Sequence, residues 1–329
     1  MILGIESTAH TFGIGIVDKG KILANVKSSY TTEKGGIIPA ESAKHHREVA
    51  DSVYEKAIAQ ASINEKEIKT IAFSQGPGLS PCLLVGLNFA KELARKLQVP
   101  LIPVNHCIAH LEIGKITGAK NPVLLYCSGA NTQIISYSAG KYRIFGETLD
   151  IGIGNFIDTF ARYAGLGFPG GPKIAELAEL ERKKEKAEYI ELPYSIKGMD
   201  VAFSGLLTNL KQKLESEKYS LEKLSYSLEE TAFAMLIEAS ERALAHLNKS
   251  ELLLGGGVAC NKRLQEMCRI MCEERNAKLF VPANEFLVDN AGMIAFLGEI
   301  MFNSGIKLAV EEADFNPRQR TDEVFVSWR

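Results

Sequence analysis

The chain has 329 residues, 46% hydrophobic and 24% charged, enough for two domains with large buried cores. A net charge of -2 carries no global signature of nucleic-acid binding, so any basic surface for RNA is local or supplied by partners. No apolar run approaches the roughly 18 residues of a membrane span, and six cysteines (Cys82, Cys107, Cys127, Cys260, Cys268 and Cys272) lack CxxC spacing.

The chain opens on an apolar strand, with no basic stretch or cleavage site before it, so a soluble cytoplasmic protein with reduced thiols is expected. Met1–Glu6, Thr11–Val17 and Lys21–Ser28 read as three short strands, joined by a Ser-Thr-Ala-His loop and the tight turn Asp18-Lys19-Gly20. A helix over about Pro39–Ala61, a strand over Thr70–Ser74, the loop Gly76-Pro77-Gly78 and a helix over about Pro81–Leu97 follow. The apolar strand Leu101–Val104 then runs into Asn105-His106-Cys107-Ile108-Ala109-His110. His106 and His110 are four residues apart, so a helix puts them on one face, one turn apart. Two imidazoles so placed either share a metal or pack on the half-buried face of a core helix.

From Pro122 the order begins again. Val123–Cys127, Thr132–Ser138 and Lys141–Thr148 read as strands, with Ser128-Gly129-Ala130-Asn131 after the first. A helix over about Gly154–Ala164 leads to the glycine-rich stretch Gly165–Gly171 and a long charged helical insertion reaching about Ser225. Glu229–Leu247 is expected as a helix, Leu252–Leu254 as a strand and Gly255-Gly256-Gly257 as a loop. Asn261–Arg275 reads as a helix, Lys278–Val281 as the last strand and Asp289–Phe302 as the last long helix.

Both halves thus follow one order: three strands, helix, strand, glycine loop, helix, strand, helix. The pattern predicts an α/β fold of two duplicated lobes around a central cleft. It resembles the actin, Hsp70 and sugar-kinase superfamily, with its RNase H-like lobes. The expected division is residues 1–119 and 120–329, with the insertion at about 173–226 and a C-terminal segment returning to the first lobe. In that design the loop after each lobe's first strand holds nucleotide phosphates; the candidates are Glu6-Ser7-Thr8-Ala9 and Ser128-Gly129-Ala130-Asn131. The duplication also sets His106 and His110 at one strand-to-helix corner and Asp289 at the corresponding other. The pseudo-twofold axis then brings two imidazoles and a carboxylate to one cleft, a donor set suited to iron, zinc or manganese more than magnesium. Taken alone, Asp289 also reads as a helix N-cap.

Eight motifs in order carry a closer resemblance: Asn105-His106-Cys107-Ile108-Ala109-His110, Tyr126 to Gln133, Gly146 to Asp150, and Asp158 within Gly154 to Arg162. The others are Phe168 to Pro172, Phe203 to Leu206, Gly256 to Asn261 and Asp289 to Ile294. Together they resemble the universal TsaD/Kae family over essentially the whole chain. Thr31 to Gly36 and Ser74 to Leu79 are most similar to its archaeal and eukaryotic branch, which works in the KEOPS complex. The resemblance implies transfer of the threonylcarbamoyl group from threonylcarbamoyl-AMP to the exocyclic amine of the adenosine following the anticodon in ANN-decoding tRNAs. It implies KEOPS partners: a small dimerising subunit, a Bud-type kinase that is sometimes fused behind this domain, and an accessory protein.

By the same resemblance His106, His110, Tyr126 and Asp289 bind one divalent or trivalent metal, iron before zinc or manganese, and act catalytically through it. Tyr126, Cys127, Ser128, Gly129 and Ala130 would border the donor's phosphate, and Asp158 its ribose. Gly171, Glu176, Gly256 and Asn261 would line the nucleoside of threonylcarbamoyl-AMP or an ATP analogue. Three positions depart from the family pattern. Ala130 replaces a glycine, bulky Phe156 a small residue, and Ala175 a ribose-binding glutamate whose role passes to adjacent Glu176. His10 and His45-His46 are expected at solvated positions, and Lys183-Lys184-Glu185-Lys186 on an exposed helix face. Competing readings are a non-catalytic nucleotide-binding scaffold of KEOPS, a sugar-kinase-like phosphotransferase and a metallopeptidase. For the last, Cys107-Ile108-Ala109 lacks the glutamate that HExxH chemistry requires between its histidines.

Overall fold

The computed structural model describes residues 1–32 and 36–329. Part of the Thr31 to Gly36 motif therefore lies outside the described residues. The first half forms β1 (Ile2–Glu6), β2 (Thr11–Asp18), β3 (Lys21–Ser29), α1 (Pro39–Ala61), β4 (Thr70–Gly76), α2 (Ser80–Leu97), β5 (Leu101–Asn105) and α3 (His106–Glu112). The second forms β6 (Val123–Cys127), β7 (Thr132–Ser138), β8 (Lys141–Glu147) and α4 (Ile153–Tyr163). In place of one continuous helical insertion come α5 (Gly171–Arg182), a two-stranded ribbon of β9 (Ile196–Lys197) and β10 (Asp200–Val201), and α6 (Ser204–Glu215). Then follow α7 (Leu221–Leu247), β11 (Glu251–Gly255), α8 (Lys262–Glu274), β12 (Lys278–Phe280), the short α9 (Asn284–Leu287) and α10 (Ala291–Asn303). α7 begins earlier than expected because Ser220 caps it, its side chain accepting from the Lys223 N–H.

The two five-stranded sheets share one topology: β3-β2-β1-β4-β5 in the first, and β8-β7-β6-β11-β12 in the second. In each, an antiparallel meander continues into parallel βα units. The layers stack as helices, sheet, helices, sheet, helices. One core packs α1 and α2 on the first sheet, and another packs α4 to α8 on the second. The middle core joins residues of both sheets with α3 and α10.

α10 reads Ala-Gly-Met-Ile-Ala-Phe-Leu-Gly, apolar on nearly every side, as a helix buried between two sheets must be. It lies against β1, β2 and β4 of the first sheet, although its sequence position is in the second half. Gly4 and Gly15, direct cross-strand partners, make the groove that admits it. A Cβ at Gly4 would stand 2.3 Å from the Ala295 nitrogen, and one at Gly15 2.4 Å from the Ala291 carbonyl carbon. That close seat fixes where α10 begins, and so where Asp289 sits. No described helix is long and apolar enough to cross a membrane.

Candidate metal and nucleotide site

The histidine corner is built locally. Asn105 completes the strand β5, and its side chain accepts the Ile108 N–H at 3.0 Å, starting α3 at once. His106 and His110 thereby leave the first turns on one side, their rings 4.8 Å apart. At the other corner the cap falls to Asn290, whose side chain accepts the Met293 N–H at 3.0 Å. α10 thus starts two residues later than expected, and Asp289 is spared capping duty and faces the histidines.

The ligand atoms of His106, His110 and Asp289 lie within 4.8 Å of one another. Asp289 Oδ1 is 3.3 Å from His106 Nε2 and 3.6 Å from His110 Nε2. The Tyr126 hydroxyl is 3.1 Å from His106 Nε2, its ring tilted against His110 at 4.9 Å. Strand alternation explains that placement: Tyr126 shares with Leu124 the face of β6 that meets the central layer. Both histidines are almost wholly buried, yet neither nitrogen of His110 has a hydrogen-bond partner among the described residues. A buried imidazole left without partners is costly in a finished core. Convergent nitrogen and oxygen donors with such an orphan fit a bound transition metal.

Charges balance accordingly. Burial pulls the His106 ring away from protonation, but Tyr126, Glu6 and Asp289 override it and hold it well above the ordinary histidine range. Burial leaves His110 below that range, and it pushes the Tyr126 phenol up. Burial opposes ionisation of Asp289, and His106 outweighs it, holding the carboxyl well below its usual value.

Glu6 was missed as a member of this centre. Fully buried at the end of β1, it sets Oε2 2.9 Å from His106 Nδ1. Its Oε1 accepts the Thr8 N–H at 2.7 Å and the Thr8 hydroxyl at 2.5 Å. A carboxylate on the far nitrogen orients an imidazole and leaves Nε2 for a metal. The signal was present in the sequence as one acidic residue closing a wholly apolar strand.

The two expected phosphate loops differ in which of their amides are engaged. In the first lobe, the Ser7 N–H donates to Ser74 Oγ at 3.0 Å and the Thr8 N–H to Glu6, so these donors are spent internally. In the second, Ser128 and Asn131 close the loop on each other, while the Gly129 and Ala130 N–H groups donate to no described residue. Two adjacent unspent amides leave donors that an anion could take. Gly152 and Gly154 press on this loop from below: a Cβ at Gly152 would meet the Gly129 oxygen at 2.4 Å. Gly256 closes it from the side at φ +89, where a Cβ would stand 2.2 Å from the Cys127 oxygen.

The remaining expected residues divide. Cys127 turns its thiol away from the histidines into the outer core, so only its backbone borders the loop. Asp158 Oδ1 accepts the Gly170 N–H at 2.8 Å, and burial raises its carboxyl against that bond. Gly171 faces open space. The Asn261 carboxamide caps α8 through the Arg263 and Leu264 N–H groups and donates to Glu229, so both its ends are engaged. Glu176 is exposed on α5. Thr32 bridges to Phe168, and His10 stands edge-on to Phe168 at 6.2 Å, joining the rims of the cleft beside Asp158. His46 is fully buried, contrary to the solvated position expected. Lys183 to Lys186 form a turn after α5 instead of a helix face, with Lys183 and Lys184 paired to Glu179 and Glu181.

A family model described as tRNA N6-adenosine threonylcarbamoyltransferase, TsaD, matches residues 21–296. The chain belongs to the TsaD family. A Thermococcus sibiricus TsaD protein named tRNA N6-adenosine threonylcarbamoyltransferase is 55% identical over 326 residues, covering 99% of each chain. A Methanosarcina mazei protein, named as a probable bifunctional tRNA threonylcarbamoyladenosine biosynthesis protein, is 53% identical over 331 residues. That match spans 99% of this chain and 59% of the Methanosarcina protein. Full-length HypF in its phosphate- and nucleotide-bound form superposes with a TM-score of 0.60 at 12% identity, over 91% of this chain and 55% of HypF. This likeness is one of fold, the duplicated actin-like architecture. Like its TsaD relatives, the chain is a tRNA-modifying transferase.

Proposed function

We propose that this chain moves the threonylcarbamoyl group of threonylcarbamoyl-AMP onto the exocyclic amine of the adenosine following the anticodon in ANN-decoding tRNAs. It acts as the catalytic subunit of a cytoplasmic KEOPS complex with a Bud-type kinase, joined or separate, and a small dimerising subunit. The observation that carries the reading is the convergence of His106, His110, Asp289 and Tyr126, with the unengaged Gly129 and Ala130 amides following on the same strand end. We further propose that the lobes divide near residue 120.

The donor is a mixed anhydride and the acceptor a weakly nucleophilic aromatic amine, so transfer needs positioning and stabilisation of negative charge on oxygen. His106, His110, Asp289 and Tyr126 would hold iron, or else zinc or manganese, which when bound supplies Lewis acidity to those oxygens. Glu6 holds His106 Nδ1 and thereby aims Nε2 at the cleft. The Gly129 and Ala130 N–H groups bind the phosphate, with Ser128 shaping their loop. Asp158 would meet the ribose hydroxyls, its carboxylate held in place by the Gly170 N–H on Oδ1. Gly171 leaves room for the nucleoside, and Gly256 and Asn261 shape its other wall. Deep burial of the histidines excludes water, which would otherwise hydrolyse the donor. Glu176 would reach the ribose from α5. Among the alternatives, a peptidase lacks the intervening glutamate.

The test is transfer of labelled threonylcarbamoyl from its adenylate to unmodified tRNA, with the KEOPS partners present. Wild-type protein should label tRNA, and His106→Ala should abolish both the product and stoichiometric metal while keeping the fold. Absence of product with all partners present would leave the scaffold reading. Full metal retention by His106→Ala would overturn the ligand assignment.

A further inference from the structure

Beyond α10 the chain runs back as a strap, with one short 3-10 turn at Thr321–Glu323. Leu308 bridges to Leu101 of β5, and the Asn316 N–H donates to the Gln75 oxygen at 2.8 Å. Arg320 reaches Glu147 of β8 at 3.4 Å, carrying the strap across to the second sheet. Between and beyond these points it grips the histidine helix. Gln319 Oε1 accepts from Asn105 Nδ2 at 3.0 Å, and Asn105 is the residue whose other amide atom caps α3. Gln319 Nε2 donates to Gln75 Oε1 at 2.9 Å, which fixes the amide's orientation. Thr321 meets the Cys107 thiol in the first turn.

At the far end of α3 the strap closes again. Glu112, the last residue of the helix, is fully buried. Arg329 places Nη2 2.7 Å and Nε 3.0 Å from Glu112 Oε1, and the Tyr142 hydroxyl donates to the same oxygen at 2.7 Å. Lys115 lies 2.5 Å from Oε2. The guanidinium stacks over Tyr137 at 4.6 Å and Tyr142 at 5.6 Å, and Trp328 packs beside Tyr142. A buried carboxylate persists only when paired, so this knot holds Glu112 in one place.

α3 has seven residues, too few to be stable by itself, so its position is set by the core it packs in and by whatever holds its ends. The strap supplies a fixture at each end, and His106 and His110 lie between them. We propose that Arg329 and Gln319 are positioning residues: the C-terminal strap sets α3 and thereby the geometry that His106 and His110 offer to a metal. The proposal rests on the metal reading above.

Cobalt(II) titrated into the full chain after chelation tests it by ligand-field absorption. Wild-type protein should bind one equivalent with a band that His106→Ala lacks. Arg329→Ala and Gln319→Ala should each weaken cobalt binding, by less than the roughly tenfold or more that loss of a direct partner of a metal ligand costs, because each acts through Glu112 or Asn105. Both should shift the band, with an unchanged far-ultraviolet circular dichroism spectrum. Arg329→Lys should recover part of the affinity, because it restores a cation at Glu112. In the transfer assay the two alanine variants should lose kcat with an unchanged KM for the donor. Wild-type cobalt affinity and band in both alanine variants would overturn the proposal. If Arg329→Ala fails to fold, Gln319→Ala decides by itself. A wild-type protein without a His106-dependent band would instead overturn the metal reading, and this inference with it.

Discussion

Glu6 and His106 show how one contact orders a site. The imidazole is buried, flanked by carboxylates on both nitrogens, and cannot rotate without breaking its bond to Glu6. Glu6→Gln keeps the shape but loses the charge, so it should lower metal affinity by about 10- to 100-fold. Cobalt titration measures this, and unchanged affinity would remove Glu6 from the centre. His46 offers a separate test, away from the ligands. Burial, helped by nearby His45 and His10, lowers its ring to about 4. The unfolded ring titrates near 6.5, so between these values the unfolded state binds more protons and stability falls as pH drops. The full loss is about 3 kcal/mol. His46→Leu should flatten the decline in Tm between pH 7 and 4; a decline as steep as wild type would show that other groups cause it.

At the scale of elements, the placement of α10 decides the site. The Gly4 and Gly15 groove seats the helix, Asn290 starts it, and Asp289 is left pointing at the histidines. Gly15→Ala puts a methyl group against backbone that cannot yield, so about 3 kcal/mol of stability should be lost. Urea unfolding reads this as a lower midpoint. Gly171→Ala provides the contrast, because its Cβ would enter open space. It should change stability by no more than about 0.5 kcal/mol. If the nucleoside uses that space, it should weaken donor binding, and calorimetry with a stable adenylate analogue would show whether it does.

The whole molecule is tied together by its middle layer, where α3 and α10 share one core with residues of both sheets. Neither sheet can lose that layer alone, so the chain should unfold in one cooperative step. A saturating adenylate analogue at about 100 times its Kd should stabilise it by about 2.7 kcal/mol. Scanning calorimetry with and without the analogue checks both: a single peak should move upward whole. Two peaks, only one of which moves, would mean that the lobes melt separately.

Much of this was legible in the residues. The repeated order of strands and helices is a local matter of hydrophobic period, turns and caps, and it determined both sheets and their shared topology. Spacing alone placed His106 and His110 on one helix face, and duplication placed Asp289 at the matching corner. Other features depend on contacts far apart in sequence. Which of two adjacent residues, Asp289 or Asn290, caps α10 depended on what each could face across the cleft. Glu6 became a partner of His106 only when β1 was laid beside β4, which pairs with β5. The two candidate phosphate loops look alike as sequence, but only packing decided which amides of each are engaged. The strap on α3 joins residues more than two hundred positions apart, and no local pattern encodes such a pairing. The tertiary structure decided these features, because a buried polar group takes its partner from whatever the completed fold brings within reach.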